Sequence, residues 1–300
     1  MTVHKSVLSE EALSLLSIQP SDTFVDCTLG GGGHSEAVCR RFPKVTVVGM
    51  DLDADAVNRS RERLRFCSGA FHLVEANSKD IGKVLKDLGL DGVDRILLDL
   101  GLSSDQLEQS GRGFSFNRDE PLLMTFAKQP STGQLTALEI VNVWPEDRIA
   151  ETLYDLGEER HARQIAKAIC AARVTNFIRT SGQLAAIVKD AVPGSYRYGR
   201  IHPATKTFQA LRMSANRELE NLSIMLSEGF RALKLRGRLA VISFHSLEDR
   251  VVKDTFRRWS SNGFGLLITK KPVVPTDSEI SINPRARSAK LRVIEKVSSL

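Results

Sequence analysis

Asp26-Cys27-Thr28-Leu29-Gly30-Gly31-Gly32-Gly33-His34 closes an apolar run, residues 23–26, and leads straight into helix-like spacing over residues 35–42. Four consecutive glycines let the backbone enter φ > 0 and approach a ligand without Cβ clashes. The N-terminus of the helix that follows presents unpaired N–H groups. A loop of this kind, at the end of the first strand of an open α/β sheet, is where such sheets deliver ligands.

Working outward, β-rich runs at 23–26, 45–50, 71–75 and 95–100 alternate with helical spacing at 35–42, 53–64 and 81–88. That alternation predicts a parallel, doubly wound sheet with right-handed crossovers. It stops after Asp99. Residues 106–200 carry only amphipathic helix signals, at 146–154, 158–173 and 181–192, which predicts an inserted all-helical domain. The core resumes with one long helix over 204–235, a strand at 238–244 and a helix at 247–259, and the tail runs 268–274 and 291–297 are expected to pair as an antiparallel hairpin. The expected organisation is core residues 1–105, a helical substrate-binding domain 106–203 and core residues 204–300.

Composition restricts the function classes. The 300 residues are 42% hydrophobic and 26% charged, which suits a folded α/β protein and excludes wholesale disorder. The net charge of +6 favours a polyanionic partner, and its distribution sharpens that expectation. Residues 160–206 hold nine basic side chains against one acidic, whereas 105–159 hold four against eleven. Cys27, Cys39, Cys67 and Cys170 form no C-x-x-C pair and lie near no histidine at ligand spacing, so they read as reduced thiols with no metal site. No stretch approaches the length of a membrane span, and a soluble, cytoplasmic protein of undetermined oligomeric state is expected.

The glycine loop does not satisfy G-x-G-x-x-G, because Ser35 stands three residues after Gly32. It does satisfy D-x-x-x-G-x-G from Asp26 to Gly32, and so resembles the S-adenosylmethionine loop of class I methyltransferases. Asp51 ends the second strand, placed to accept both ribose hydroxyls of an adenosine, a role that serves NAD enzymes equally. Asn77-Ser78 follows the third strand, and Asp99 ends the fourth beside the expected ligand.

Longer motifs carry a wider resemblance. They are His4-Lys5-Ser6-Val7-Leu8, Gly32-Gly33-His34-Ser35, Leu97-Leu98-Asp99-Leu100-Gly101-Leu102-Ser103-Ser104, Gly111-Arg112-Gly113-Phe114-Ser115-Phe116 and Gly157-Glu158-Glu159-Arg160. They continue with His202-Pro203-Ala204-Thr205-Lys206-Thr207-Phe208-Gln209-Ala210-Leu211-Arg212, Ser243-Phe244-His245-Ser246-Leu247-Glu248-Asp249-Arg250 and Asn283-Pro284-Arg285-Ala286-Arg287-Ser288. In this order, over nearly the whole chain, they resemble the RsmH (MraW) family of ribosomal RNA small subunit methyltransferases.

The resemblance implies a class I (Rossmann-like) methyltransferase sheet with an inserted helical domain. It implies S-adenosyl-L-methionine as methyl donor and N4 of a decoding-region cytosine of 16S rRNA, alone or in the 30S subunit, as acceptor. It also places Gly32, Gly33, His34, Asp51, Ser78, Asp99 and Gln106 at the family's donor-contacting positions. Pro121-Leu122-Leu123-Met124-Thr125-Phe126 departs from the family's usual P-L-D-M-R-M by losing an acid and an arginine.

The chemistry asks for in-line alignment and for a group accepting hydrogen bonds from the target amine. Asp99 is the candidate catalytic residue, either for that amine or for the amino group of the donor. Methylation at cytosine C5 needs a cysteine nucleophile, and none of the four lies in a Pro-Cys turn, which favours a nitrogen target. The amino-methyltransferase signature D/N-P-P-Y is replaced by Asp99-Leu100-Gly101-Leu102, so the residues alone leave N4 open. Ser195-Tyr196-Arg197-Tyr198-Gly199-Arg200 interleaves aromatics with arginines, as single-stranded RNA binding requires. Two alternatives stay open: a methyltransferase on another RNA or protein, and an inactive RNA-binding assembly factor.

Overall fold

The computed structural model describes residues 6–103, 106–107, 110–130 and 132–300. The motif residues His4, Lys5 and Ser104, and the expected domain boundary at Asp105, lie outside them. The chain forms two compact units, Met1–Gly101 with Leu219–Leu300, and Leu102–Glu218.

The first unit holds seven strands: β1 (Thr23–Asp26), β2 (Thr46–Asp51), β3 (Phe71–Glu75), β4 (Val93–Asp99), β5 (Leu233–Ser243), β6 (Gly265–Leu267) and β7 (Lys290–Lys296), in the order β3-β2-β1-β4-β5-β7-β6. The first five run parallel, and β7 is antiparallel to both its neighbours. Strand order reverses between β1 and β4, and that reversal opens a crevice at their carboxyl ends. Residues alternate between faces, as the period of two requires. Val25, Ile96, Leu98, Leu239 and Val241 pack with Leu222, Leu226, Phe230, Phe256 and Trp259 on one side, while Phe24, Leu97, Ala240 and Ile242 pack with Leu13, Leu16 and Val38 on the other. Both faces are therefore covered, as the apolar strand runs demanded. The result is the doubly wound, largely parallel α/β sheet that the alternation predicted, with the helical unit inserted between β4 and β5.

The helical unit has its own core, built from Phe114, Leu122, Met124, Ile149, Leu153, Ile165, Ile169, Leu184, Phe208 and Leu211 among others. The altered segment after Pro121 belongs to it. Leu122, Met124 and Thr125 are fully buried, and the backbone N–H groups of Leu122 and Met124 donate to the carbonyls of Arg179 and Arg112. The uncharged residues at 123 and 125 thus belong to a packed structural segment.

Several expectations differ from the structure. The helix expected over 204–235 is two helices, Thr205–Ala215 and Glu218–Ala232. Asn216 ends the first by donating to Met124 O and Arg212 O and accepting from Phe126 N, and Arg217 turns the chain at φ 48°. Helix Thr205–Ala215 packs in the helical unit, whose boundary falls at Glu218 rather than at residue 203. In the tail, β7 pairs with Gly265–Leu267, and residues 268–274 follow it only through single contacts such as Val273 with Leu291. Pro272 lies within that stretch and Pro275 directly after it, and neither can donate to a ladder. Finally, Cys39 and Cys67 are joined in a disulfide, Cα atoms 5.5 Å apart, and are not two separate thiols; Cys27 and Cys170 are free. Sequence separation hid the pair, because the fold brings the chain after helix Ala54–Arg63 against helix Gly33–Arg41.

Candidate active site

The glycine loop spans β1 and helix Gly33–Arg41. Gly30 (φ 50°) and Gly32 (φ 73°) occupy the left-handed region that favours glycine, and Gly32 N–H closes the turn onto Leu29 O at 2.7 Å. The first intrahelical bond runs from Glu36 N to Gly32 O, so the N–H groups of Gly33, His34 and Ser35 have no helical acceptor.

Around this turn the structure gathers three acidic side chains from three strand ends. Asp26, at the end of β1, is buried, accepts from Ser35 Oγ at 2.8 Å and lies near His34. Burial raises its pKa, against the favourable His34 charge and the Ser35 hydrogen bond. Asp99, at the end of β4, has Oδ2 3.4 Å from His34 Nε2. That is ion-pair distance with poor hydrogen-bond alignment, and among the described residues Asp99 Oδ1 and both His34 ring nitrogens are buried without a hydrogen-bond partner. Burial alone would lower the His34 pKa, but the Asp99 and Asp26 carboxylates outweigh it and hold it above the ordinary value. Unsatisfied polar atoms of this kind are costly in a finished core and mark places where a ligand completes the bonding.

Asp51, at the end of β2, accepts from Gly30 N–H at 2.8 Å through Oδ2 and from Asp53 N–H at 2.9 Å through Oδ1. Each oxygen keeps a second lone pair. Desolvation pushes its pKa up to about 6, against those two hydrogen bonds. Ser78 begins a short 3₁₀ turn after β3, and its hydroxyl donates to Cys27 O, tying that turn to the glycine loop. Gln106 belongs to the helical unit, where it caps locally: its Oε1 accepts from Ser103 N–H and its own N–H donates to Ser103 Oγ, each at 3.1 Å. The structure thus gathers Gly32, Gly33, His34, Asp51, Ser78 and Asp99 along one sheet edge within the first unit.

Sequence reading left Asp26 out of the candidate set, although it opens the D-x-x-x-G-x-G pattern. His245 proves to be a capping residue: its Nδ1 accepts from Glu248 N–H, and the Glu248 side chain returns the bond to the His245 backbone.

In the helical unit, the aromatic and basic loop divides into an anchor and an exposed tip. Tyr196 donates its hydroxyl to the buried Glu159 at 2.6 Å, and the Arg160 guanidinium covers its ring at 4.7 Å. Tyr198 is 82% exposed, and Arg200 beside it is also exposed. Arg212 is committed to a two-bond ion pair with Glu218, and His202 stacks on Phe116 at 4.2 Å.

Comparison with known proteins agrees over the whole chain. A family model described as the MraW methylase family matches residues 1–297. Ribosomal RNA small subunit methyltransferase H of Sulfurihydrogenibium azorense is 42% identical over 297 residues, covering 99% of this chain and 100% of the relative. The protein of the same name from Desulfotalea psychrophila is 44% identical over 296 residues, covering 98% of each. The one from Coprothermobacter proteolyticus is 43% identical over 293 residues, covering 98% of this chain and 96% of the relative. With the family model spanning nearly its full length and relatives this similar from end to end, the chain belongs to the MraW methylase family.

Proposed function

We propose that this protein methylates N4 of a cytosine in the decoding region of small-subunit ribosomal RNA. Family membership makes it a ribosomal RNA methyltransferase with S-adenosylmethionine as donor, and its relatives are named for the small subunit. The residues at the sheet edge fit that donor. The open lone pairs of Asp51 suit a ribose diol, and the free N–H groups at the start of helix Gly33–Arg41 suit a carboxylate. Ser78 spends its hydroxyl on Cys27 O, which leaves its backbone free to serve the adenine.

When bound, the donor supplies an electrophilic methyl group on a sulfonium. The protein's part is to align the acceptor and to take up the hydrogen bonds of its amine. Asp99 is the hydrogen-bond acceptor on which this reading rests, because it combines a strand-end position with one buried, unsatisfied carboxylate oxygen. His34 Nε2 lies 3.4 Å from the other carboxylate oxygen, at ion-pair distance. On the helical unit, the exposed Tyr198 and Arg200 supply a stacking face and a phosphate contact for unpaired RNA.

The test is methyl transfer from labelled S-adenosylmethionine to small ribosomal subunits lacking the modification, followed by nucleoside analysis, for wild type and Asp99→Ala. The expected product is N4-methylcytidine, reduced at least about a hundredfold in the variant, the scale seen when a preorganised charge-stabilising group is removed. A different methylated nucleoside, or a methylated protein, would replace the acceptor. Binding of donor without any transfer would favour the assembly-factor reading.

A further inference from the structure

The glycine loop is held from behind by two side chains of helix Ala54–Arg63 that no ligand-contact argument calls for. Ser60 is fully buried, and its hydroxyl donates to Gly30 O at 3.0 Å. Arg63 donates through Nη1 to Gly31 O at 2.9 Å and through Nε to Glu36 Oε2 at 2.5 Å, thereby spanning the loop and the first turn of the helix that follows it. Glu36 is itself fixed by Arg40.

Gly30 and Gly31 are the two central residues of the turn closed by Gly32 N–H onto Leu29 O. In such a turn the alternative conformers differ mainly by a flip of the central peptide, and glycine opposes neither. Because a peptide unit is planar, pinning its carbonyl on one side turns the following N–H to the other. Ser60 and Arg63 therefore choose which way these peptides face. The contact is close enough to dictate sequence: a Cβ on Gly32 would lie 2.8 Å from Ser60 Oγ. The glycine at 32 is required by its packing as well as by its φ.

We propose that Ser60 and Arg63 are positioning residues of the donor site, acting through the peptide orientations of Gly30 and Gly31. This rests on the reading of the glycine loop as the S-adenosylmethionine site. A flexible tetraglycine loop loses backbone entropy when a ligand orders it, and these two side chains remove that cost in advance.

The experiment uses the full chain with Ser60→Ala, Arg63→Ala and Arg63→Lys, and measures the Kd of S-adenosylmethionine and of S-adenosylhomocysteine by calorimetry. Thermal stability and amide hydrogen exchange of residues 30–35 are measured without ligand. Losing one charged hydrogen bond to the loop is expected to weaken both ligands about tenfold or more for Arg63→Ala, and a neutral one about threefold to tenfold for Ser60→Ala. Arg63→Lys, which keeps the charge but lacks the rigid two-point fork of the guanidinium, falls between. Exchange of the loop amides should rise in all three, and KM for the donor should rise while kcat at saturating donor changes less than about threefold.

Donor affinity within twofold of wild type in Ser60→Ala and Arg63→Lys, or loop exchange unchanged in both, overturns the proposal. Should Arg63→Ala fail to fold, those two variants decide it. A wild-type protein that binds neither ligand overturns the cofactor reading, and this proposal falls with it. Normal wild-type binding with unaltered variants overturns the positioning role alone.

Discussion

Asp51 spends one lone pair of each carboxylate oxygen on the backbone and offers the rest to a ligand, while desolvation brings its pKa to about 6. The sign follows directly. A carboxyl raised above its ordinary value favours folding in its protonated form, a contribution present in acid and lost as pH rises through about 6. The ribose contact needs the ionised form, so S-adenosylmethionine affinity should fall by up to about tenfold per unit as pH drops below 6. In Asp51→Asn the profile should be flat and the affinity uniformly weak, which calorimetry across pH 4.5–8 would check. Gly32→Ala tests the turn: its φ of 73° and the nearby Ser60 Oγ predict a loss of at least about 1–2 kcal/mol in denaturant unfolding. At this scale, the glycines, Asp51 and Asp99 could be singled out from sequence because each ends or directly follows a strand in a recognisable pattern. Ser60 and Arg63 could not, because their role arises from a tertiary contact with residues some thirty positions away and leaves no local signal.

Helix ends show how capping chemistry can imitate catalysis. His245 follows β5 at the sheet edge, where a histidine invites a mechanistic role, yet its ring nitrogen caps Glu248 N–H at 3.3 Å. His245→Ser, with a hydroxyl able to cap, should keep methyl transfer within about threefold of wild type, and His245→Ala should lose about 1 kcal/mol of stability. A loss of a hundredfold or more in kcat for the serine variant, with stability intact, would return His245 to the chemistry. The Cys39–Cys67 disulfide joins helix Gly33–Arg41 to the chain beyond helix Ala54–Arg63 across 28 residues. Reduction should cost about 3 kcal/mol, seen as a lower denaturation midpoint with reductant than without. Strands and most helices were legible from their periodicity, whereas the break at Asn216 was not, because that residue's side-chain partners, Met124 and Phe126, lie some ninety positions earlier.

Across the molecule, the helical unit is one continuous piece with a core of its own, while the methyltransferase unit is assembled from two. A fragment of residues 102–218 should therefore fold by itself, with helical circular dichroism and a cooperative thermal transition; a fragment that stays unfolded would show that its core needs the rest of the chain. The insertion was readable in the sequence as a break in β/α alternation, but its exit was displaced, since helix Thr205–Ala215 carries the same amphipathic spacing whichever core it joins. The same discontinuity governs events during synthesis. β4 finishes at Asp99, and the strand that satisfies its open edge, β5, begins only at Leu233, more than a hundred residues later. At translation rates of about 5–20 residues per second, that edge waits on the order of ten seconds on the ribosome. Throughout that interval the nascent sheet is a half-built surface of unpaired peptide groups, exposed to chaperones and to other nascent chains.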